Sequence, residues 1–461
     1  PARYGHTKMN RSFTIVALTT ALCAGTAYAD GDLDTTFNDG TGSRIVQFNS
    51  AVGNGSHDTG RKVLIDKNNR MYLIGTARSP DTSLGHFALT RLGGLGNQAG
   101  QGDLSFGFFG GAVTPDSTGN ITATSAAFDN NGNIVVAGFK VISSSNFDFF
   151  TCVFNQAGGL GECVRPVFDA GTGQNHVDVA NDVVIDKQNR VLLAGYAECY
   201  TQSTCAALVR LLPNGKPDSG FGINGYLTLG DVVNGPVSPF AHRITAVALD
   251  DQGRILLAGT FRNTANDPYI KVIVERLLPN GNFDPDWGQD GVLTVGLGNL
   301  VPNSGDARAT DIVFDERGNS VFVAGTVARD AANGYSSGFV MKLGDNGSPV
   351  PNFNMDGFAL LNPFPGTTIE SMARTHDGNY VLGGSADSPL GKEFLLQKIS
   401  YINGQYISNY AVSGRRRVDI DGLNQDDTGM SVAISPYHDY TVLLGNTAVT
   451  NGQSTDIGFS V

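Results

Sequence analysis

The pattern that decides the fold is contained in residues 183–229, VVIDKQNRVLLAGYAECYTQSTCAALVRLLPNGKPDSGFGINGYLTL. Its apolar runs are separated by an Asp-led turn at 186–189, a connection at 200–204 and an Asn-Gly turn at 214–215. One aromatic residue, Phe221, then precedes a fourth short apolar run. Short runs bounded by Asx and Gly turns are typical of antiparallel hairpins, and no helical periodicity competes with them. The stretch therefore predicts a four-stranded antiparallel sheet.

The first half of this pattern, strand, turn, strand and glycine, recurs along the whole chain with a mean spacing of about 62 residues. The copies lie at 63–77, 126–139, 183–197, 247–261, 312–327, 373–386 and 432–448. The recurring glycines are Gly75, Gly138, Gly195, Gly259, Gly325, Gly384 and Gly445. Such a period indicates a repeat architecture, in which each unit buries its faces against its neighbours.

Each unit continues with a third apolar run, a further turn, one aromatic residue and a fourth short strand. The aromatic residues are Phe37, Phe106, Phe168, Phe221, Trp287, Phe353 and Tyr410. We interpret them as packing residues between units, with carbohydrate stacking as the alternative. Four antiparallel strands repeated seven times predict an all-β fold, a seven-bladed β-propeller of four-stranded antiparallel blades.

The two ends of the chain complete each other. Residues 455–461 resemble a third strand without a fourth, and residues 31–48 an aromatic residue and a fourth strand without the first three. We therefore expect the N-terminal strand, within 30–50, to complete the C-terminal blade, which closes the ring and removes an exposed sheet edge. The propeller then forms a single domain over 30–461. Its blades start near residues 61, 123, 180, 244, 309, 369 and 429.

The sequence resembles a known repeat family in LPNGKPDSGFGINGYLTL (212–229) and LPNGNFDPDWGQDGVLTV (278–295). Both contain D-x-x-F/W-G-x-x-G after the third strand, as the bacterial delta-60 repeat does. The resemblance covers essentially all of the chain after residue 29. It departs at Cys163-Val-Arg-Pro in the second unit and at Arg415-Arg416-Arg417 in the sixth. It implies a propeller fold and export, and no common enzymatic activity.

An export signal is predicted within residues 1–29. Lys8 and Arg11 precede a short apolar run at 13–22, and the small residues Ala27-Tyr28-Ala29 follow it. This is the layout of a secretory signal peptide cleaved near Ala29, behind an upstream extension. A lipoprotein signal acylated at Cys23 is the alternative. No other apolar run is long enough to span a membrane, so we expect a periplasmic or secreted protein.

Four cysteines follow the predicted signal. An even number in an oxidising compartment favours disulfides, and proximity in the sequence pairs Cys152 with Cys163 and Cys199 with Cys205. A metal site is the alternative, but the sequence contains no C-x-x-C pattern. Each bridge would join two neighbouring strands.

Charge and missing motifs limit the function. The 43 acidic residues outnumber the 31 basic ones, giving a net charge of −12, which disfavours a nucleic-acid partner. There is no G-x-S-x-G, P-loop or dinucleotide fingerprint. We predict an exported, monomeric, non-catalytic binding or scaffolding propeller without a cofactor. A protein or carbohydrate ligand would dock on the face formed by the long connections between strands 2 and 3 and between blades. The alternative function is an extracytoplasmic hydrolase or lyase with acidic and His residues at the channel mouth.

A site at the channel mouth is predicted from residues in the connections and first strands of several units. These residues are His57, His176, His242, Asp182 and Asp311, with Asp178 nearby. Such residues can bind a ligand or transfer protons. The alternative is that they are polar loop residues without a common site.

Calcium is considered at one acidic loop, 418–427, with Asp419, Asp421, Asp426 and Asp427 as candidate ligands. The aspartates that begin the turn between the first two strands of a unit have a different explanation. One carboxylate at the start of a tight turn can accept hydrogen bonds from the backbone that follows it, whereas calcium loops alternate several oxygen ligands.

Overall fold

A computed structural model describes the chain at residues 14, 15, 17, 18, 37, 43–46, 48, 58–79, 82–94, 99–168, 176–200, 203–230, 240–263, 269–297, 304–330, 335–354, 356–361, 364–389, 391–419, 426–437, 440–448 and 455–460. Over these residues the protein is all-β, as predicted, with one 3-10 turn at Asp116–Thr118. The strands in chain order are β1 (Thr14–Ile15), β2 (Ala17–Leu18), β3 (Ser43–Val46), β4 (Thr59–Ile65), β5 (Met71–Arg78), β6 (Gly85–Leu92), β7 (Gly111–Val113), β8 (Ile121–Phe128), β9 (Ile134–Ser143), β10 (Asn146–Phe154), β11 (Leu160–Val164), β12 (Val179–Ile185), β13 (Val191–Tyr200), β14 (Ser203–Leu211), β15 (Tyr226–Leu229), β16 (Phe240–Leu249), β17 (Ile255–Asn263), β18 (Lys271–Leu277), β19 (Val292–Val295), β20 (Ala307–Asp315), β21 (Ser320–Asp330), β22 (Tyr335–Leu343), β23 (Phe358–Leu361), β24 (Thr368–Arg374), β25 (Tyr380–Ser388), β26 (Gly391–Ile399), β27 (Arg415–Val418), β28 (Asp427–Ile434), β29 (Thr441–Ala448) and β30 (Thr455–Ser460).

The strands form antiparallel meanders in which neighbours in sequence are neighbours in the sheet. The sets β4–β7, β8–β11, β20–β23 and β24–β27 are separate four-stranded sheets. The sets β12–β15 and β16–β19 have the same order, but a parallel bridge between Thr204 and Ala241 joins them into one sheet. The arrangement is that of a β-propeller with four-stranded antiparallel blades.

The sheet at the C-terminal end of the chain includes a strand from the N-terminal part. β28 pairs with β29, β29 with β30, and β30 with β3, where Ser43 lies opposite Ser460 and Val46 opposite Ile457. The two-residue strands β1 and β2 pair with β3, β29 and β30. β1 and β2 lie in the predicted export signal, which stays a prediction.

The core lies between successive sheets, because the first strand of each sheet contacts the first strand of the next. These contacts run from β4 to β8, β12, β16, β20, β24 and β28, and β28 contacts β4. Between the first two sheets, for example, Ile74 and Leu89 pack with Ile121 and Val136, and all four side chains are buried.

A β-bulge at one common position explains the recurring glycines. In β20, Ala309 lies opposite Gly325 and Asp311 opposite Ala324, so that Thr310 is an extra residue. A Cβ atom at Gly325 would overlap the carbonyl oxygen of Arg308, because the bulge brings that oxygen onto the glycine. The other six recurring glycines have the same relation to the first strands of their own sheets. The extra residues are Arg61, Thr124, Asn181, Thr245, Thr310, Glu370 and Met430.

The recurring aromatic residues are buried packing residues, and several form part of a clamp between sheets. Arg276 on β18 donates from Nε to Asp284 and from Nη1 to the carbonyl oxygen of Asp345, at 2.8 and 2.6 Å. Its guanidinium group lies 5.9 Å from the centre of the Trp287 ring, a cation–π distance. Asp345 belongs to a turn of the following sheet, so the clamp joins two sheets. The corresponding cation and ring are Arg91 with Phe106, and Arg210 with Phe221.

The Asp-led turns and the cysteines behave as the sequence predicts. Asp186 Oδ1 accepts hydrogen bonds from the backbone of Gln188 and Arg190, both at 2.9 Å, which is turn chemistry. Both predicted disulfides are confirmed. Cys152 faces Cys163 in the register of β10 and β11, and Cys199 bonds to Cys205.

Candidate functional site

Each bulge of a first strand places two consecutive residues, most of them polar, around the axis of the propeller, and we call these residues the inner ring. They are Arg61-Lys62, Thr124-Ser125, Asn181-Asp182, Thr245-Ala246, Thr310-Asp311, Glu370-Ser371 and Met430-Ser431. Most of the extra residues in the inner ring join neighbouring sheets. Each of four side chains donates a hydrogen bond of 2.6–2.8 Å to a backbone carbonyl group of the next first strand. The donors and acceptors are Thr124 to Ala180, Asn181 to Ile244, Thr245 to Ala309 and Thr310 to Ile369.

Two predicted site residues, Asp182 and Asp311, belong to the inner ring directly after a bulge. Asp182 accepts hydrogen bonds from the Ser125 hydroxyl at 2.7 Å and from the Val247 amide at 2.9 Å. Asp311 accepts from the Met372 amide at 2.6 Å. Each carboxylate therefore contacts the next sheet.

The charges of the inner ring interact with one another. Burial raises the pKa of Asp311 to about 6, against the opposing effect of Lys62, and the negative charge of Asp182 adds to the rise. The three residues are half-buried, as expected for side chains that line a channel.

Arg61 and Glu370 depart from the pattern of the inner ring. They stand at bulge positions where four other sheets have Thr or Asn. Burial raises the pKa of Glu370 to about 7, while the positive charges of Arg61, Lys392 and Arg308 oppose the rise. Burial lowers the pKa of Arg61, and Glu370 opposes this. Arg61 Nε is buried and has no hydrogen-bond partner among the described residues. A buried donor without a partner is costly in a folded protein.

The predicted histidines do not share one environment. His242 is fully buried, with Nε2 3.3 Å from Glu275 Oε2 and its ring edge-on to Phe261. His176 Nδ1 lies 4.0 Å from Glu198 Oε2. His57 lies outside the described residues. The structure thus gives His176 and His242 separate glutamate partners.

Asp178 lies close to the His176 pair. Burial raises its pKa to about 7, although the backbone amide of Glu198 donates a hydrogen bond to its carboxylate. The nearby Asp148 adds to the rise.

A third histidine pair escaped the sequence analysis. His86 is buried at the start of β6, with Nδ1 3.0 Å from the Thr114 carbonyl oxygen and Nε2 3.2 Å from Asp116. Its only signal in the sequence is a polar residue at the start of an apolar run.

The acidic loop is described only in part. Asp419 and Asp426 are exposed, Asp427 is buried in β28, and Asp421 lies outside the described residues. Asp426 accepts a hydrogen bond from the Lys392 amide at 2.9 Å. Over the ranges that the structure describes, no group of three His, Cys, Asp or Glu residues is arranged to hold a metal ion. Calcium at this loop stays a prediction.

Sequence analysis named two residues of the inner ring, Asp182 and Asp311, and missed the charged residues Arg61 and Glu370. The two missed residues are more than 300 positions apart in the chain, and only the contacts between first strands of successive sheets place their charges where each affects the pKa of the other. In the part of the chain that is described, no helix has the length and apolar character needed to cross a membrane.

Comparisons with known proteins support the fold. A family model described as "Domain of unknown function (DUF5122) beta-propeller" matches residues 189–221. No curated protein sequence matches the chain. The crystal structure of polysaccharide lyase Uly1 is similar with a TM-score of 0.51 at 12% identity, covering 98% of this chain and 99% of that one. An α-L-arabinanase of Penicillium chrysogenum, solved with arabinobiose, has a TM-score of 0.42 at 11% identity and covers 73% and 91%. The family match over 189–221 and the likeness to the polysaccharide lyase structure agree with the propeller fold.

Proposed function

We propose that this protein is an exported binding propeller that takes a carbohydrate at the inner ring. The observation that carries the proposal is the replacement of sheet-joining Thr or Asn by Arg61 and Glu370. Two charged residues that give up this structural hydrogen bond, with Arg61 Nε left without a partner among the described residues, break the local rule of the fold. Such departures are expected at functional sites.

The ligand follows from the chemistry of this lining. A guanidinium group donates several directed hydrogen bonds, and carboxyl groups accept them from hydroxyl groups. Arg308 and Lys392 add positive charge around Glu370. Sugars present many hydroxyl groups at fixed spacing, so they suit an inner ring that carries both donors and acceptors of hydrogen bonds. Since the polysaccharide lyase shares the fold, polysaccharides are the first probes.

The architecture that we propose is a closed ring of seven blades of the delta-60 type. Two observations support closure: β28 contacts β4, and β3 pairs with β30. The long connections between strands 2 and 3 and between blades would then surround the channel mouth. Export is supported by two disulfides, which persist in oxidising compartments.

The test is a binding screen with the full chain against neutral and acidic polysaccharides, with and without calcium, by isothermal titration calorimetry. Arg61→Gln and Glu370→Gln should each weaken binding about tenfold or more, the range for lost charged hydrogen bonds. Lys67→Gln, an exposed turn residue at the opposite end of β4, should bind like the unaltered chain. Equal affinities for all four proteins would contradict the site, and a calcium-dependent affinity would support calcium at 418–427.

A second candidate function, a hydrolase or lyase, is favoured by one observation. Two carboxyl groups of the inner ring have pKa values raised towards neutrality, about 7 for Glu370 and about 6 for Asp311. Such values suit a general acid or base. Reducing ends or unsaturated products released from a bound polysaccharide, and lost in Glu370→Gln, would replace the binding function by this one.

A further inference from the structure

The junction between the sheets β8–β11 and β12–β15 lacks the clamp found elsewhere. The cation of a clamp stands three residues after the residue opposite a recurring glycine, as Arg276 follows Ile273 opposite Gly259. On β10, Phe150 lies opposite Gly138, so the equivalent position is Val153. The same position is basic in the other sheets that run from β4 to β27: Arg91, Arg210, Arg276, Lys342 and Lys398.

The ring of the clamp is missing from this junction as well. A Cβ atom built on the turn glycines Gly281 and Gly347 would contact the rings of Phe221 and Trp287, at 3.0 and 2.8 Å. At the equivalent Gly215 the nearest atoms belong instead to the carboxyl group of Glu162, 2.9 Å away.

Phe168 does not fill this place. Its ring packs against Phe149 at 4.8 Å and Tyr226 at 5.3 Å between ring centres. This unit therefore lacks the ring of the clamp as well as its cation.

A cavity of about 370 Å³ lies at this junction. Apolar side chains, including Val153, Val164 and Leu211, form part of its lining. Among the described lining residues, the charged ones are Asp129 and Glu162. Asp129 is engaged by the amides of its own turn, whereas Glu162 is exposed. Uncharged polar side chains such as Asn131, Asn155 and Asn189 complete the lining. The cavity thus combines apolar surface with uncharged polar groups and an exposed carboxylate, which favours a cation with an apolar body.

We propose that this cavity binds a small aromatic cation, a planar ring carrying an ammonium or amidinium group. The ring would occupy the place of the missing aromatic side chain, and the cation would pair with Glu162. It would also donate to the carbonyl group of Pro213, because Arg210 donates to the equivalent Pro279 in the next clamp. The site is formed by the short turns at the end of the sheets away from the long connections, so it is separate from the proposed carbohydrate site.

The test uses two probes with the same ring and opposite charges, tryptamine and indole-3-acetate, titrated into the full chain by calorimetry. Tryptamine should bind at least tenfold more tightly than indole-3-acetate. Glu162→Gln should weaken tryptamine about threefold to fivefold, the usual effect of an exposed ion pair. The matched control Glu316→Gln, an exposed glutamate in the sheet β20–β23, should leave the affinity unchanged.

A second variant fills the cavity from inside. Val164→Phe should abolish tryptamine binding, while the far-ultraviolet circular dichroism spectrum and any binding of polysaccharides stay unchanged. The proposal is overturned if tryptamine does not bind at millimolar concentration, if both probes bind equally, or if Glu162→Gln binds tryptamine like the control. If Val164→Phe fails to fold, the comparison of Glu162→Gln with Glu316→Gln decides.

Discussion

Glu370 stands at a strand position where Thr or Asn in other sheets donates a hydrogen bond to the next sheet. An ionised carboxylate can only accept hydrogen bonds, so in its charged form the side chain cannot replace that donor. Its burial beside Arg61 is instead an electrostatic arrangement, in which removal from water disfavours the charged form and three basic residues favour it. The balance leaves a carboxyl group that titrates near neutral pH.

This titration predicts how the stability depends on pH. The pKa of Glu370 is raised from 4.5 to about 7 in the folded protein, so between these values the folded state retains a proton that the unfolded state has lost. The contribution of Glu370 to the free energy of unfolding therefore falls as the pH rises from about 4.5 to about 7 and is level above that range. Glu370→Gln lacks this titration. We expect the melting temperature of Glu370→Gln, relative to that of the unaltered chain, to rise between pH 5 and pH 8, as measured by calorimetry.

Asp311 and Asp178 also have raised pKa values, and both proteins retain these groups. The difference between the two proteins therefore isolates Glu370. A difference in melting temperature that stays constant from pH 5 to pH 8 would contradict the burial of this carboxyl group.

At the scale of the strand, the bulge and its glycine form one unit. The glycine allows a carbonyl oxygen of the first strand to approach the second strand, and the bulge then places two consecutive residues, most of them polar, near the axis. A side chain at the glycine would push the two strands apart where the sheet meets its neighbours.

We expect Gly259→Ala to lower the free energy of unfolding by about 2–3 kcal/mol, in the range for strain within a buried sheet. The reason is that its Cβ atom would overlap the Arg243 carbonyl oxygen. Gly102→Ala is the control, because a Cβ atom there has nothing within 4 Å. It should change the stability by less than about 0.5 kcal/mol. Urea denaturation of the two variants measures the difference, and equal losses would argue against the role of the bulge.

What the sequence predicts of these elements depends on the range of the interaction. Short repeated patterns predict the strands, the turns led by residues such as Asp186 and the buried aromatic residues, and proximity in the sequence predicts the disulfide between Cys152 and Cys163. The bulges were not predicted, because one extra residue in a strand does not interrupt an apolar run. The basic residue of the third strand, such as Arg276, was visible in the repeat. Its role was not, since its partner Asp345 belongs to the next sheet.

The candidate site shows the same limit. Asp182 and Asp311 could be named because polar residues at the start of a first strand suggest the channel. The pairing of Arg61 with Glu370 required the order of the sheets around the axis. A histidine near the start of a strand, such as His242, suggests an exposed mouth. His242 is in fact buried against Glu275 on β18 of its own sheet, and the long-range pairing of a buried histidine is not visible in a sequence pattern.

At the scale of the whole molecule, the first strand of each sheet contacts the first strands of two other sheets, so the stability of a sheet depends on its neighbours. The C-terminal sheet depends on β3 for its outer strand. Phe37, from the same N-terminal segment, is buried where a Cβ atom on Gly100 would meet its ring. In addition, Arg44 donates a hydrogen bond to the Gly100 carbonyl group. The N-terminal segment therefore takes part both in the last sheet and in its junction with the sheet β4–β7.

A chain without residues 30–48 should consequently lose β3 and also the contacts that Phe37 and Arg44 make with Gly100. We expect a lower melting temperature and concentration-dependent aggregation, because β30 would become an exposed edge that can pair with another chain. Adding a synthetic peptide of residues 30–48 should raise the melting temperature again, since the peptide can occupy the vacant edge, whereas a scrambled peptide should not. Thermal unfolding followed by circular dichroism and light scattering measures both effects. An unchanged melting curve after the deletion would refute closure of the ring by the two ends of the chain, because an open arrangement of sheets would not need this segment.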